Sequence, residues 1–397
     1  MGFHNPAMPW SELEARLSNG RAPSSVAWNG GGDGPALSAK RQPFQPALQR
    51  GVSLVPYAEL HCRSNFSFLT GAAHPEELAE VAASLGLSAL ALTDRNGLYG
   101  VVRFAEAARA VGLPTVFGVE LDCSSIPSRV QCGSLVVLAK GPHGYALLAR
   151  AISEGQLAGR KGEPAFTCDA VGQTVHGACF VLTGGSDSAV VRALEEHGPA
   201  EAERVLRYLI ECFGHSNVLV ELWDQGDPID VVRNDQLVAL AASLDLECIA
   251  TNNVAYAVPA QHRLATALTA VRHRTSLDSI DHSLPPAATA YLRSGVEQQR
   301  RFARYPGVVE RTADIAREIA FDLSLVAPQL PPFPCPDGMN EMSYLRHLVA
   351  HGARHRYGEE PSTSDEDLSL RARAWKTIHH ELDIIETLGF AGYFLVV

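Results

Sequence analysis

Seven short apolar runs, most of them separated by stretches with helical periodicity, constrain this chain more than any other feature. They are "YAEL" (57–60), "ALALT" (89–93), "TVFGVEL" (115–121), "LVVLA" (135–139), "CFVLT" (179–183), "NVLVEL" (217–222) and "ECIAT" (247–251). Runs this short and apolar on both faces suit strands of a mainly parallel sheet whose crossovers are helices. Between the first two runs, Pro75 occupies a first-turn position, Leu78, Val81, Ala82 and Leu85 fall on one helical face, and Gly86 supplies a C-terminal cap. Similar helices are expected at about 100–111, 143–153, 188–212 and 230–244. Seven such units close into a TIM-like βα barrel, with an open doubly wound sheet as the structural alternative. In a barrel, chemistry belongs at the C-terminal ends of the strands, and polar residues gather there: His61, Asp94, Glu120, Glu221, Asn252 and Asn253.

After Val258 the strands stop and helical patterns take over, as in "PAQHRLATALTAVRHR" and "RAWKTIHHELDIIETLG". The α/β barrel is therefore expected to be followed by a mainly helical segment, with "LPPFPCPDG" (330–338) as an extended connector. Residues 1–54 read as a flexible N-terminal arm with one short helix, which Ser11 and Glu14 can close as a capping box. The apolar ending "GFAGYFLVV" reads as a sequence that stops inside a larger core, and its exposure predicts aggregation or a disordered last block.

Composition excludes several classes. With 46% hydrophobic and 19% charged residues, the 397-residue chain is an ordinary globular protein of two or three domains. It holds no run of about 18 apolar residues, so no membrane span is expected, and the start lacks a secretion signal, which points to the cytoplasm. Eight cysteines without a C-x-x-C pair argue against a zinc ribbon and against a disulfide framework. A net charge of −11 argues against gripping DNA with the whole surface. Val258–Ala320 departs locally, with nine Arg against six acidic residues, a surplus of three that suits either nucleic acid or a solvated helical face.

The block from "AELHCRSNFSFLTGAAHPEELAEVAASLGLSALALTDRNGLYG" to "TVFGVEL" resembles the opening of a PHP (polymerase and histidinol phosphatase) domain as it occurs in bacterial C-family DNA polymerase III α subunits. "TNNVAYAVPAQHRLATALTAVRHRTSLD", "YLRSGVEQQRRFARYPGVVERTADIA" and "IHHELDIIETLGFAGYFLVV" continue the likeness from the PHP domain into the palm. The leader "MPWSELEARLSNG" is similar to the error-prone, damage-induced branch of that family. The resemblance implies a PHP-type distorted seven-stranded TIM-like barrel over 55–280 and the start of the polymerase palm over 281–397. For the longer enzyme it implies template-directed DNA synthesis, including translesion synthesis in DNA repair. It also implies Mg²⁺ held by palm aspartates that lie outside this chain, so no polymerase catalytic residue is assigned. Primer–template DNA, deoxynucleoside triphosphates, a sliding clamp and accessory translesion proteins are the implied partners.

Metal-binding members of the PHP family hold a cluster of divalent ions at the barrel mouth. The family's His-x-His here reads His61, Cys62, Arg63; its next carboxylate is Thr70; its Thr-Asp-His reads Thr93, Asp94, Arg95. Ser134 and Gly185 or Ser186 stand at further ligand positions, and the final Asp-x-His reads Asn253, Val254, Ala255. Only His61 and Glu120 survive, as vestiges of a metal site. Two donors do not hold a polynuclear centre, and Arg63 and Arg95 bring permanent cations to the same place. No metal and no cofactor are therefore expected in this chain.

Each residue also has a plain reading: His61 as a hydrogen-bonded core histidine, Cys62 as a small buried side chain, Asp94 as a loop cap, and "LTGGSDS" (182–188) as a strand-to-helix turn rather than a phosphate cradle. Glu120, deprived of metals, needs another cation if it is buried, and pairing with Arg63 or Arg95 supplies one. The competing functions are a PHP metal-dependent phosphoesterase or proofreading 3′–5′ exonuclease, and a non-catalytic truncated relative. No G-x-x-x-x-G-K-[ST], H-E-x-x-H or G-x-S-x-G motif offers another chemistry.

Overall fold

The computed structural model describes residues 44–124, 126–130, 132–280, 284, 287–323, 333–361 and 370–396. The leader with Ser11 and Glu14, and the first part of the proline-rich connector, lie outside the described residues. The chain divides into two compact units between Leu323 and Ser324.

All seven apolar runs form strands: β1 (Ala58–Glu59), β2 (Ala89–Leu92), β3 (Thr115–Ser124), β4 (Cys132–Ala139), β6 (Cys179–Leu182), β7 (Val218–Trp223) and β8 (Glu247–Thr251). A two-residue strand, β5 (Phe166–Thr167), pairs with β3 beside the main path. The order β1-β2-β3-β4-β6-β7-β8 bends round until its ends meet. Val254 N donates to His61 O at 2.8 Å and Arg63 N donates to Val254 O at 2.9 Å, joining the chain after β8 to the chain after β1. The sheet is a nearly closed barrel rather than the open alternative.

The sheet is mainly parallel, as expected, and the exception is β4, which runs antiparallel to both β3 and β6. Only residues 125–131 join β3 to β4, and a parallel crossover takes roughly a dozen residues or more. The single helix expected over 188–212 is two, α5 (Ala189–His197) and α6 (Pro199–Phe213). Gly198, at φ 86°, and Pro199 at the first position of α6 end one helix and restart another.

The other crossovers are α1 (Pro75–Ser84), α2 (Val101–Ala110), α3 (Gly141–Ala158), α4 (Cys168–Val175), which sequence periodicity missed, and α7 (Asp230–Ser243). Pro75 opens α1, Gly86 follows it at φ 70°, and Leu78, Ala79, Ala82 and Ala83 form its buried face, with Val81 and Leu85 half-buried. Helices α8 (His262–His273), α9 (Gly295–Arg301) and α10 (Glu310–Ile319) complete the first unit.

The barrel interior changes character along its strands, because residues two apart share a face. Ala58, Ala89, Val116, Val136, Phe180, Leu219 and Ile249 form an apolar cluster with Ile315, Ala316 and Ile319 of α10. Ala58 N donates to Thr312 Oγ1 at 3.0 Å, tying α10 to β1. Further along the same faces stand Glu120 on β3, Glu221 on β7 and Thr251 on β8, all buried. An ionic layer thus sits above the apolar one.

The second unit contains α11 (Glu341–Tyr357), α12 (Leu370–Leu388) and α13 (Ala391–Val396), packed through Leu345, Leu382 and Ala391. The apolar ending was expected to aggregate or to leave a disordered last block; in the structure Ala391–Val396 is helical. Gly389, at φ 68°, turns the chain back after α12, so that Ala391 and Leu395 join this cluster, while Tyr393, Phe394 and Val396 stay exposed. All eight cysteines are free, with Cys62, Cys123, Cys168 and Cys179 buried. Among the described residues no helix is long and apolar enough to cross a membrane.

Candidate functional site

The ionic layer is built from the ends of four strands. His61, just past β1, is fully buried; its Nδ1 lies 2.7 Å from Glu221 Oε1 and its Nε2 lies 3.7 Å from Glu120 Oε2. Thr251 Oγ1 also donates to Glu221 Oε1. Burial alone would lower the imidazole pKa, but Glu221 and Glu120 override it and push it up to about 10, so His61 is a buried cation.

Arg63 reaches across the mouth. Its Nη1 lies 3.4 Å from Glu120 Oε2 and its Nη2 donates to Asn253 Oδ1 at 2.5 Å. Among the described residues neither oxygen of Glu120 receives a hydrogen bond, so two cations at short range hold its charge. Burial raises the Glu120 pKa, yet Arg63, His61 and Arg95 together bring it well below the usual carboxylate range. Asn253 adopts φ 46°, and Gly185 allows its approach: a Cβ there would stand 2.4 Å from Asn253 Nδ2.

Of the two arginines expected to compete for Glu120, Arg63 takes it. Arg95 instead forms a bidentate pair with Asp122, Nε to Oδ2 at 2.9 Å and Nη2 to Oδ1 at 2.6 Å, with Asp187 Oδ2 3.9 Å from Nη1. Asn96 Nδ2 adds a bond to Asp122 Oδ2. Ser134 Oγ donates to Asp187 Oδ1 at 2.9 Å. The Thr70 hydroxyl donates to the carbonyl of Ser67.

Asp94 is buried, and its carboxylate accepts from Ser64 N, Ser64 Oγ and Ser67 Oγ at 2.8–2.9 Å, which fastens the loop after β1 to the loop after β2. Burial nevertheless raises its pKa. Cys62 is a buried neutral thiol. Glu59 lies behind the mouth and accepts from Tyr57 Oη, His61 N and Asn252 N, while burial lifts its pKa to about 7.

Sequence reasoning placed Glu221 at a strand end but gave it no role, and it passed over Glu59, Asp122 and Asp187. Asp122 was legible as the residue two beyond Glu120 on the same strand face. A family metal cluster does not fit this donor set. Where the resemblance implies imidazoles and carboxylates converging on ions, the Arg63 guanidinium lies against Glu120 and donates to the Asn253 amide. Among the described residues no three His, Cys, Asp or Glu side chains are arranged to hold a metal ion.

The PHP domain family model matches residues 59–225. Along its whole length the chain is 45% identical to a protein of Mycobacterium bovis named "Error-prone DNA polymerase", covering 36% of that protein. It is also 45% identical to one of the same name from Cutibacterium acnes, covering 35%. The chain thus spans about a third of the length of the curated relatives it matches. Among solved structures, an amidohydrolase from Chromobacterium violaceum is similar at 18% identity and a TM-score of 0.37, over 50% of this chain and 88% of that one.

Proposed function

The chain is a PHP-domain-bearing member of the error-prone DNA polymerase family, and from that premise we propose that its barrel is a metal-free scaffold within a DNA polymerase. The longer protein carries out template-directed DNA synthesis, including synthesis across lesions during repair, with Mg²⁺ bound by palm carboxylates outside this chain. Primer–template DNA, deoxynucleoside triphosphates and a sliding clamp are its partners, and its location is cytoplasmic. Residues 55–280 serve as the PHP domain and 281–397 as the start of the palm, with 287–323 in the same compact unit as the barrel. The chain alone has no polymerase activity.

The observation that carries the scaffold reading is the Arg63 guanidinium, which bridges Glu120 and Asn253 and so joins the ends of β1, β3 and β8 without an ion. Metal analysis of the chain purified from zinc- and manganese-supplemented cultures tests it, together with hydrolysis assays on a phosphodiester and on a 3′-labelled oligonucleotide. Substoichiometric metal and no hydrolysis are expected. Stoichiometric Zn²⁺ or Mn²⁺ with metal-dependent cleavage would establish the phosphoesterase or exonuclease reading instead.

A further inference from the structure

Away from the barrel mouth, two of the buried cysteines stand face to face. The short strand β5 pairs in parallel with the outer end of β3, Cys123 opposite Phe166 and Ser124 opposite Thr167. Residues two apart share a face of a strand, so Cys168, two beyond Phe166, comes to the face on which Cys123 lies. The junction is fastened on both sides. Ser124 Oγ donates to Phe166 O at 3.1 Å, and Thr167 Oγ1 accepts from Ala170 N at 3.2 Å, capping α4 so that it starts at Cys168. Both cysteines are 1% exposed.

The contact between the two thiols governs their chemistry. Cys123 is the foremost influence on Cys168, ahead of burial, and together they hold the Cys168 thiol well above its usual range. The nearest further thiol, Cys212 on α6, is half-buried and donates to Asp169 Oδ1 at 3.4 Å. The buried pair is therefore a neutral dithiol, set between the strand that carries Glu120 and Asp122 and the head of α4.

We propose that Cys123 and Cys168 form a redox modification site, closed to a disulfide in the folded chain by hydrogen peroxide. One sulfur attacks a peroxide oxygen and the O–O bond breaks, giving a sulfenic acid and one water. The second sulfur attacks the first, the S–O bond breaks, and a second water leaves. The thiols lose two electrons to the peroxide, and both thiol hydrogens depart in the waters. A protonated thiol is a poor nucleophile, so the reaction is slow, and a small uncharged oxidant suits a place closed to larger ones. The product ties β3 covalently to α4.

The test oxidises the whole folded 397-residue chain with hydrogen peroxide, blocks residual thiols with N-ethylmaleimide in denaturant, and maps unreduced peptides by mass spectrometry. A Cys123–Cys168 cross-link is expected, reversed by dithiothreitol and accompanied by a barrel melting transition raised by roughly 5 °C or more, since the bond closes a long loop. Cys123→Ala and Cys168→Ala each abolish the cross-link and the shift, and Cys212→Ala retains both. Peptide mapping of the parent chain decides the matter even where a buried variant misfolds. Three results at a dose that fully oxidises the exposed Cys132 overturn the inference: Cys168 recovered as a free thiol, Cys168 linked to Cys212, or Cys168 carried on to a sulfinic acid without a cross-link. A cross-link no more abundant than in chain oxidised under denaturant, where the eight thiols pair at random, overturns it as well.

Discussion

Replacing Arg63 with methionine removes the cation from Glu120 while keeping most of the side chain's length. At 3.4 Å and an effective dielectric near 20, a unit pair interacts by roughly 5 kcal/mol. Breaking a buried pair by deleting one partner costs about 3–5 kcal/mol. Arg63 keeps 14% of its side chain exposed, so water screens part of this and the lower end, about 3–4 kcal/mol, applies. A domain of this size loses about 2–4 °C per kcal/mol, which places the barrel transition of Arg63→Met roughly 6–16 °C below that of the parent chain at pH 7. Scanning calorimetry measures it, and hydrogen exchange of β3 peptides identifies which transition belongs to the barrel. The mechanism makes a second demand. If the penalty is an uncompensated carboxylate, Arg63→Met/Glu120→Gln recovers about 2 kcal/mol of it or more. The sign with pH follows as well. The folded pKa of Glu120 is depressed, so its stabilisation is present above its unfolded value and fades as pH falls through the folded one. Without Arg63 that fading begins at a higher pH. A melting shift under about 2 °C, or strict additivity of the two substitutions, would refute the reasoning.

Other outcomes follow from the same geometry. His61 has a folded pKa of about 10, above its unfolded value, so its contribution is complete below pH ~6.5 and disappears as pH rises through 10. The parent chain therefore loses roughly 3–6 kcal/mol more than His61→Gln between pH 6.5 and 10.5, measured by urea titration at each pH. Gly185→Ala displaces Asn253 from Arg63, lowers stability by about 1–2 kcal/mol in thermal melts, and has little further effect in an Arg63→Met background. Arg95→Gln breaks a pair whose partner Asp122 is 41% exposed, and so shifts the melt by no more than about 1 kcal/mol, far less than the Arg63 substitution.

The strands of the barrel were legible because burial on both faces leaves continuous apolar runs, a pattern that survives without any knowledge of tertiary partners. The direction of β4 was hidden, because the apolar runs end at Leu121 and resume at Leu135, leaving room for a crossover; only the extension of β3 to Ser124 and of β4 back to Cys132 shortens the link to 125–131. α4 and β5 escaped because "FTCDAVGQTV" is too short to display a period.

The site was legible in part, and the limit is one of depth rather than of residue type. Arg63 and Arg95 each follow a strand, each carries the same charge, and Glu120 was an equal partner for either in the sequence. Register separates them. Arg95 bridges Glu120 through the backbone, Asn96 N donating to Glu120 O at 2.8 Å, and its side chain meets Asp122, two residues further out on the same face, where solvent begins. Glu120, one step deeper and wholly buried, is left to the arginine that the closure between β1 and β8 brings over the mouth. The same closure that makes the sheet a barrel therefore selects Arg63 as the cation for Glu120, and a variant that loosens the Val254 bridge should weaken the ion pair before it disturbs the apolar layer beneath.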